Sequence, residues 1–235
     1  MAKLNADDGA AGDVFGSPVL FSGGTLAVGA HRADVGGNVN QGAAYIFYRD
    51  QGGADNWGQV AKLTASDGAA GDYFGNGVVV SGDTVVVGAY LDGGGKGSAY
   101  VFERGQGGAD NWGQVKKLTA SDAIGNDKFG RSAAISVDTV VIGAHVEDGA
   151  GSDRGAAYVF ERNQGGADSW GQVTKLTASD SADDDYFGRA TAISGDTVVV
   201  GAYGEDGAGS DRGAAYIITI ALPDYSIYLP LVLKN

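Results

Sequence analysis

Residues 62–104 decide the fold, and they read KLTASDGAAGDYFGNGVVVSGDTVVVGAYLDGGGKGSAYVFER. Short β-branched runs alternate here with glycine, serine and aspartate, which is typical of strands separated by tight turns. Three landmarks of the stretch recur along the chain in the same order: Lys-Leu-(Thr/Asn)-Ala at Lys3, Lys62, Lys117 and Lys175; Phe-Gly at Phe15, Phe74, Phe129 and Phe187; Gly-Ala at Gly29, Gly88, Gly143 and Gly201. The lysines are 59, 55 and 58 residues apart, which indicates four structural repeats.

Each repeat contains four strand signals. In the third repeat, strands are predicted at about 131–136, 139–145, 156–162 and 170–177. The second of these strands is apolar on both faces and therefore requires burial on both sides. The first is short and rich in small residues, as an innermost strand around an axis should be. Face-to-face packing of such units predicts an all-β fold, a β-propeller of four blades with four antiparallel strands each. A stacked linear solenoid is the structural alternative.

The repeat resembles a known family. Its order of Lys-Leu-Thr-Ala-Ser-Asp, Asp-Tyr-Phe-Gly, Ser-Gly-Asp-Thr-Val-Val-Val-Gly-Ala-Tyr and Ala-Tyr-Val-Phe-Glu-Arg looks like the bacterial FG-GAP repeat, related to the blades of the integrin α-subunit propeller. Four in-phase copies cover residues 3 to about 218. The resemblance implies an integrin-like β-propeller that is usually extracellular and binds other molecules, often with calcium. It implies no reaction.

The chain departs from the integrin pattern in one loop. Integrin blades carry an Asp-x-Asp-x-Asp-Gly calcium loop between the Phe-Gly strand and the Gly-Ala strand. Here that connection is only Ser81-Gly82-Asp83-Thr84 and its equivalents. The integrin calcium site is therefore not carried over, and any calcium must use loops on the opposite face.

Residues 1–235 are interpreted as a single domain, with repeats at about 3–61, 62–116, 117–174 and 175–235. Residues 2–5 match residues 61–64, the outer strand of a blade, and are one of two candidates for the outer strand of the last blade. Residues 225–235 have the right length for the same position and compete for it. A closed four-bladed monomer is favoured, and a homodimer in which two chains form one eight-bladed ring is the alternative.

Composition excludes several classes of function. Twenty-nine acidic against 16 basic residues give a net charge of −13, which repels a phosphate backbone and excludes nucleic acid as a partner. The absence of cysteine excludes disulfides and thiol chemistry. No apolar run is long enough to cross a membrane as a helix. Residues 1–10 show no signal peptide, and an exported protein is expected to have its leader removed or outside this chain.

The acidic residues concentrate in two kinds of loop. In a propeller, the loops between strands 2 and 3 and those between strand 4 and the next blade share one face, and 19 of the 29 acidic residues fall in them. Calcium prefers six to eight oxygen ligands, which glycine-bearing acidic loops can supply. Solvated turn residues are the alternative interpretation. The candidate calcium ligands are Glu147, Asp148, Asp153, Glu205, Asp206, Asp211, Asp180 and Asp185.

No catalytic constellation is visible. His31 and His145 occupy the repeat position that Tyr90 and Tyr203 occupy elsewhere, which indicates a need for an aromatic-sized side chain rather than for a base. No Gly-x-Ser-x-Gly elbow is present. The recurring tryptophans at 57, 112 and 170 are expected to pack against their blades, and sugar stacking is the alternative.

These observations predict a non-enzymatic binding or cell-adhesion scaffold, secreted or on the cell surface, with an acidic and calcium-binding face. Its ligand would be a protein or a glycan. The alternative is a purely structural segment of a larger surface protein. A glycan-binding lectin or a hydrolase is the least favoured hypothesis, since acids that repeat around a ring do not form one unique catalytic pair.

Overall fold

The computed structural model describes residues 2–51, 53–206 and 211–221. These residues form four antiparallel sheets, called blades 1 to 4 in chain order, and within each the strands lie side by side in sequence order. Blade 1 contains β1 (Val19–Ser22), β2 (Thr25–Ala30), β3 (Ala43–Tyr48) and β4 (Gly58–Leu63); blade 2 contains β5 (Phe74–Ser81), β6 (Thr84–Ala89), β7 (Ser98–Arg104) and β8 (Trp112–Leu118). Blade 3 contains β9 (Ser132–Ser136), β10 (Thr139–Ala144), β11 (Ala156–Glu161) and β12 (Gly171–Leu176); blade 4 contains β13 (Ala190–Ser194), β14 (Thr197–Ala202) and β15 (Ala214–Thr219).

The predicted all-β propeller architecture is confirmed. The four strands expected in the third repeat lie within one residue of β9 to β12 at every end. The one helical element of the described residues is a single turn, α1 (Asp92–Gly95), between β6 and β7. No helix among these residues has both the length and the apolar character needed to cross a membrane.

Neighbouring blades pack face to face through apolar side chains. Each blade has a leading face toward the preceding blade and a trailing face toward the next. Val86 and Val101 on the trailing face of blade 2 share a buried cluster with Val140 and Ile142 on the leading face of blade 3. Equivalent clusters join blade 1 to blade 2 and blade 3 to blade 4. Burial of each such side chain contributes about 1.5–3 kcal/mol, which makes these interfaces the core of the molecule.

The Gly-Ala landmark permits this close packing. A Cβ atom on Gly88 would lie 1.9 Å from the carbonyl oxygen of Gly130 in the next blade. The same substitution at Gly143 would bring a Cβ to 1.9 Å from the Gly188 oxygen. A side chain of any size would force the blades apart, which explains why glycine stands at this position of the repeat.

The described residues form an open series of blades rather than the expected closed ring. The cluster on the leading face of blade 1 contains Val28, Tyr45 and Phe47 and no residue of blade 4. Residues 2–5, the first of the two candidate segments, are not in a strand and do not pair with β15, so they do not complete blade 4 of the same chain. The competing segment, residues 225–235, lies outside the described residues.

Candidate functional site: the acidic loop face

The loops before the first strand and those between the second and third strands of the blades lie on one side of the molecule. Lys117 shows this directly, since its Nζ is 2.7 Å from Asp67 in the first kind of loop and 2.7 Å from Asp92 in the second. Lys175 likewise joins Asp122 and Glu147, at 2.7 Å and 2.9 Å. The two kinds of acidic loop therefore lie on the same face of the molecule, as predicted. Its loops span residues 7–13, 66–72, 121–127 and 179–185, and 31–42, 90–97, 145–155, 203–206 and 211–213.

One acid in each loop before a first strand belongs to a repeated Asp–Tyr pair. The tyrosine of the third strand, buried in blades 1 to 3 and partly buried in blade 4, donates its hydroxyl hydrogen bond to this aspartate. Three of the four pairs also have a lysine from the outer strand. The hydroxyl-to-carboxylate pairs are Tyr45–Asp8 at 2.9 Å, Tyr100–Asp67 at 2.9 Å, Tyr158–Asp122 at 2.8 Å and Tyr216–Asp180 at 2.9 Å. Each of these aspartates therefore has a structural role, because it ties its loop to the blade.

Hydrogen bonds and burial shift the pKa values of the aspartates and tyrosines in these pairs. The hydrogen bond from Lys62 lowers the pKa of Asp8. Burial acts to raise the pKa of Asp67, but the hydrogen bonds from Lys117 and Tyr100 outweigh it and the net shift is downward. Burial raises the pKa of Tyr100, and the nearby carboxylates of Asp92 and Asp67 raise it further. In blades 1 to 3, these shifts keep the aspartates ionised and the tyrosines neutral near pH 7.

A second aspartate in each of these loops is buried and closes a turn. It accepts the backbone N–H of the residue three positions earlier, as Asp127 accepts that of Ile124 at 2.7 Å. Equivalent bonds run from Ala10 to Asp13, from Ala69 to Asp72 and from Ala182 to Asp185. Such local bonds are why aspartate is favoured in turns. Burial raises the pKa of Asp127, and Glu147 and Asp122 add to this shift.

Two buried carboxylate oxygens of blade 3 have no hydrogen-bond donor among the described residues. They are Oδ1 of Asp127, a residue 1% exposed, and Oε2 of Glu147, a residue 7% exposed. Their other oxygens accept hydrogen bonds from the Ile124 N–H and from Lys175, respectively. A buried charged oxygen without a partner is costly, and a bound cation would remove that cost.

The predicted calcium ligands divide into two groups. Asp148 and Asp206 each accept a backbone N–H within their own loop, that of Asp153 at 3.2 Å and that of Asp211 at 2.9 Å. These four residues order their loops. Glu147 instead raises the pKa of Asp127 through its charge. The sequence did not single out Asp127, because Asp13, Asp72 and Asp185 hold the same position of the repeat.

The other three candidates gather in blade 4. Asp180, Glu205 and Asp185 all act on the pKa of Tyr216, which burial and the Asp180 hydrogen bond raise. Within the described ranges, no three acidic or histidine side chains converge in a ready arrangement for a metal ion. The charges of Asp180, Glu205 and Asp185 thus act on one tyrosine and the charge of Glu147 acts on Asp127, but the structure does not unite the eight candidates in one site.

The clefts on this face are small. The cleft beside Glu147 and Arg154 has a volume of about 280 Å³, and the equivalent clefts of blade 2 and blade 1 have about 360 Å³ and 250 Å³. Pockets for drug-sized ligands have roughly 300–1,000 Å³, so two of the three clefts lie below this range and the cleft of blade 2 lies at its lower end. These clefts therefore suit an ion or one polar group of a larger ligand.

The aromatic landmarks pack as expected. Trp170 is fully buried in blade 3 and lies beneath the Arg162 guanidinium. The indole N–H of Trp112 donates to the Tyr48 hydroxyl of the preceding blade at 2.8 Å. Burial, with Arg189 and Lys128 nearby, lowers the pKa of His145 to about 3. A histidine with this pKa is a poor base near neutral pH.

Comparison with known proteins gives one result. A family model described as FG-GAP repeat matches residues 1–47, 57–102, 112–160 and 170–218. A comparison with curated protein sequences gives no match. FG-GAP repeats are generally structural or binding units, typical of extracellular or surface proteins. Because the four matches cover most of the residues and agree in phase with the four sheets, the chain belongs to the FG-GAP repeat family and its sheets are the blades of a β-propeller.

Proposed function

We propose that this chain is a non-enzymatic, extracellular or cell-surface binding scaffold whose acidic face takes up calcium in blade 3 and presents it to a protein or glycan ligand. The observation that carries the proposal is the pair of buried, donor-free oxygens on Asp127 and Glu147. Calcium is bound through carboxylate oxygens, backbone carbonyls and water, and the adjoining glycine-rich loop 149–155 offers such carbonyls. Of the two carboxylates, that of Glu147 lines the cleft. A site with so few charged ligands predicts millimolar affinity, which is usual for extracellular modules.

The family and the titration of the site support a role without catalysis. FG-GAP repeats are generally structural or binding units. His145 shares its repeat position with two tyrosines, and its low pKa opposes general-base chemistry. The acids of the face are largely engaged with tyrosines, lysines and backbone N–H groups, as a surface that orders its own loops requires.

The test is thermal unfolding in excess EDTA, in millimolar calcium and in millimolar magnesium. Calcium at about 20 times its dissociation constant is expected to raise the melting temperature by roughly 5 °C and magnesium to leave it unchanged, because a ligand that binds only the folded state stabilises it in proportion to the logarithm of its concentration. Asp127→Asn and Glu147→Gln should each abolish the calcium response. Asp13→Asn is the matched control, since it alters the same turn position in blade 1 and should keep the response. Identical curves in all three solutions would favour the purely structural role.

A further inference from the structure

Two apolar sheet faces have no neighbouring blade among the described residues. On the leading face of blade 1, Phe21 is 59% exposed, whereas its equivalent in blade 2, Val80, is 9% exposed. On the trailing face of blade 4, Ile217 is 75% exposed, whereas its equivalent in blade 3, Val159, is fully buried. These faces are the two halves of the interface that the chain forms three times internally, so each matches the other in shape and chemistry.

The backbone groups that pair between successive blades also have no pairing partner at these two faces among the described residues. The glycine before the third strand of one blade pairs with the Phe-Gly phenylalanine of the next blade at Gly42–Phe74, Gly97–Phe129 and Gly155–Phe187. In the same series, Gly213 of blade 4 has no following phenylalanine among the described residues, and Phe15 of blade 1 has no preceding glycine. Phe15 is correspondingly half-buried, whereas Phe74, Phe129 and Phe187 are fully buried.

Residues 2–6 lie where a preceding blade would end. Leu63 and Ala65, at the end of the outer strand of blade 1, pack into the interface with blade 2. Leu4 and Ala6, their equivalents in the repeat, pack in the same way against the leading face of blade 1. The segment therefore holds the position of an outer strand that belongs to a blade in front of blade 1.

One ion pair of the repeat is incomplete, and its missing partner is on that segment. The Asp–Tyr pairs of blades 1 to 3 have a lysine on the outer strand, with Lys62–Asp8 at 2.5 Å, Lys117–Asp67 at 2.7 Å and Lys175–Asp122 at 2.7 Å. Asp180 of blade 4 has its tyrosine, Tyr216, but no lysine within the part of the chain that the structure describes. Lys3 is the repeat equivalent of these lysines and is exposed.

The C-terminal sequence does not offer that lysine at the right position. In each of the first three blades the lysine follows the tyrosine by 17 residues, as Lys62 follows Tyr45. Seventeen residues after Tyr216 the chain has Leu233. The Gln-Gly-Gly-Ala-Asp element that precedes each outer strand is also absent after residue 216. Residues 2–5 therefore match the vacant strand position better than residues 225–235 do.

We propose that two copies of this chain close one eight-bladed ring, in which residues 2–5 of each copy form the outer strand of the other copy's blade 4 and Lys3 pairs with Asp180. By the register of β3 and β4, where Tyr45 opposes Lys62, Lys3 then lies opposite Tyr216 of the second copy. Propellers have typically four to eight blades. Because the four blades of one chain leave the ring open, at least two copies are needed to close it. Two copies give eight blades, and a third copy would exceed the range. The interface is head-to-tail, and closure of the ring leaves no exposed face for further growth.

The first experiment is cross-linking, which the absence of native cysteine makes specific. A chain carrying Lys3→Cys is mixed with a chain carrying Asp180→Cys and treated with a short bis-maleimide. The expected product is a covalent pair of one chain of each kind. A chain that carries both substitutions should cross-link between copies. Cross-linking within single chains would mean a closed four-bladed ring and would overturn the proposal.

The second experiment is sedimentation equilibrium of the full chain. The expected mass is twice that of one chain, and Phe21→Glu or Ile217→Glu should weaken the dimer at least 100-fold without unfolding it, since both side chains are exposed in the single chain. Val137→Glu is the matched control, because Val137 is 71% exposed in the β9–β10 turn, and it should leave the mass unchanged. Lys3→Glu and Asp180→Lys should each weaken the dimer several-fold, and their combination should restore it. A monomer at all concentrations, or an equal effect of Val137→Glu, would overturn the proposal.

Discussion

At the scale of single residues, burial changes the pKa of a side chain and with it the chemistry that the side chain can perform. His145 occupies a position that accepts tyrosine, and its environment lowers its pKa to about 3. An unfolded histidine has a pKa near 6.5. Between pH 3 and pH 6.5 the unfolded chain binds a proton at this histidine that the folded chain does not. The free energy of unfolding is therefore highest above pH 6.5 and decreases as the pH falls toward 3.

His145→Tyr is therefore expected to make the chain less sensitive to acid. Between pH 7 and pH 5 the wild-type chain should lose about 2 kcal/mol of unfolding free energy through this residue, and the variant should not lose it. Urea unfolding at the two pH values measures the difference. His31→Tyr is the control, because His31 is less deeply buried and should contribute less. An unchanged pH dependence in His145→Tyr would show that His145 is not shielded in this way.

At the scale of elements, the spacing between blades depends on glycine. Gly88→Ala would place a methyl group 1.9 Å from the Gly130 carbonyl oxygen, and the backbone of blade 3 would have to move. The variant is expected to lose about 3 kcal/mol of unfolding free energy or more, because overpacking of a rigid interface typically costs 1–3 kcal/mol and here the obstacle is backbone. Chemical denaturation measures the loss. Gly24→Ala, where the nearest atom is 4.0 Å away, should cost little. Equal stability of the two variants would contradict this role of the Gly-Ala landmark.

At the scale of the whole molecule, the fourth Gly-Ala glycine tests the ring. Among the described residues, a Cβ atom on Gly201 would meet only Ala190 of its own blade, at 3.6 Å. In the eight-bladed ring the same atom would face the Gly16 carbonyl of the second copy. Gly201→Ala should thus keep its circular dichroism spectrum while the dimer dissociation constant rises at least tenfold, as sedimentation equilibrium would show. A dissociation constant equal to that of the wild-type chain would contradict the proposed contact.

The strands and their grouping were accessible from the sequence. Apolar runs such as 78–80 and 85–87 require burial wherever they lie, and the recurrence of Phe-Gly and Gly-Ala placed them in four equivalent units. Turn residues marked the strand ends to within one residue in blade 3. These features are local, because hydrophobic periodicity and turn chemistry act over a few residues. The common face of the acidic loops followed from the same regularity.

The partners of individual groups were decided only by the tertiary structure. Asp13, Asp72, Asp127 and Asp185 hold one repeat position, yet Asp127 is the one of the four with a buried oxygen that has no donor among the described residues. Residues 2–5 carry the sequence of an outer strand, but the three internal interfaces hold blade 4 away from them. Contacts between distant segments depend on how whole blades stack, and a repeat that looks the same four times in sequence meets a different neighbour at each end of the series.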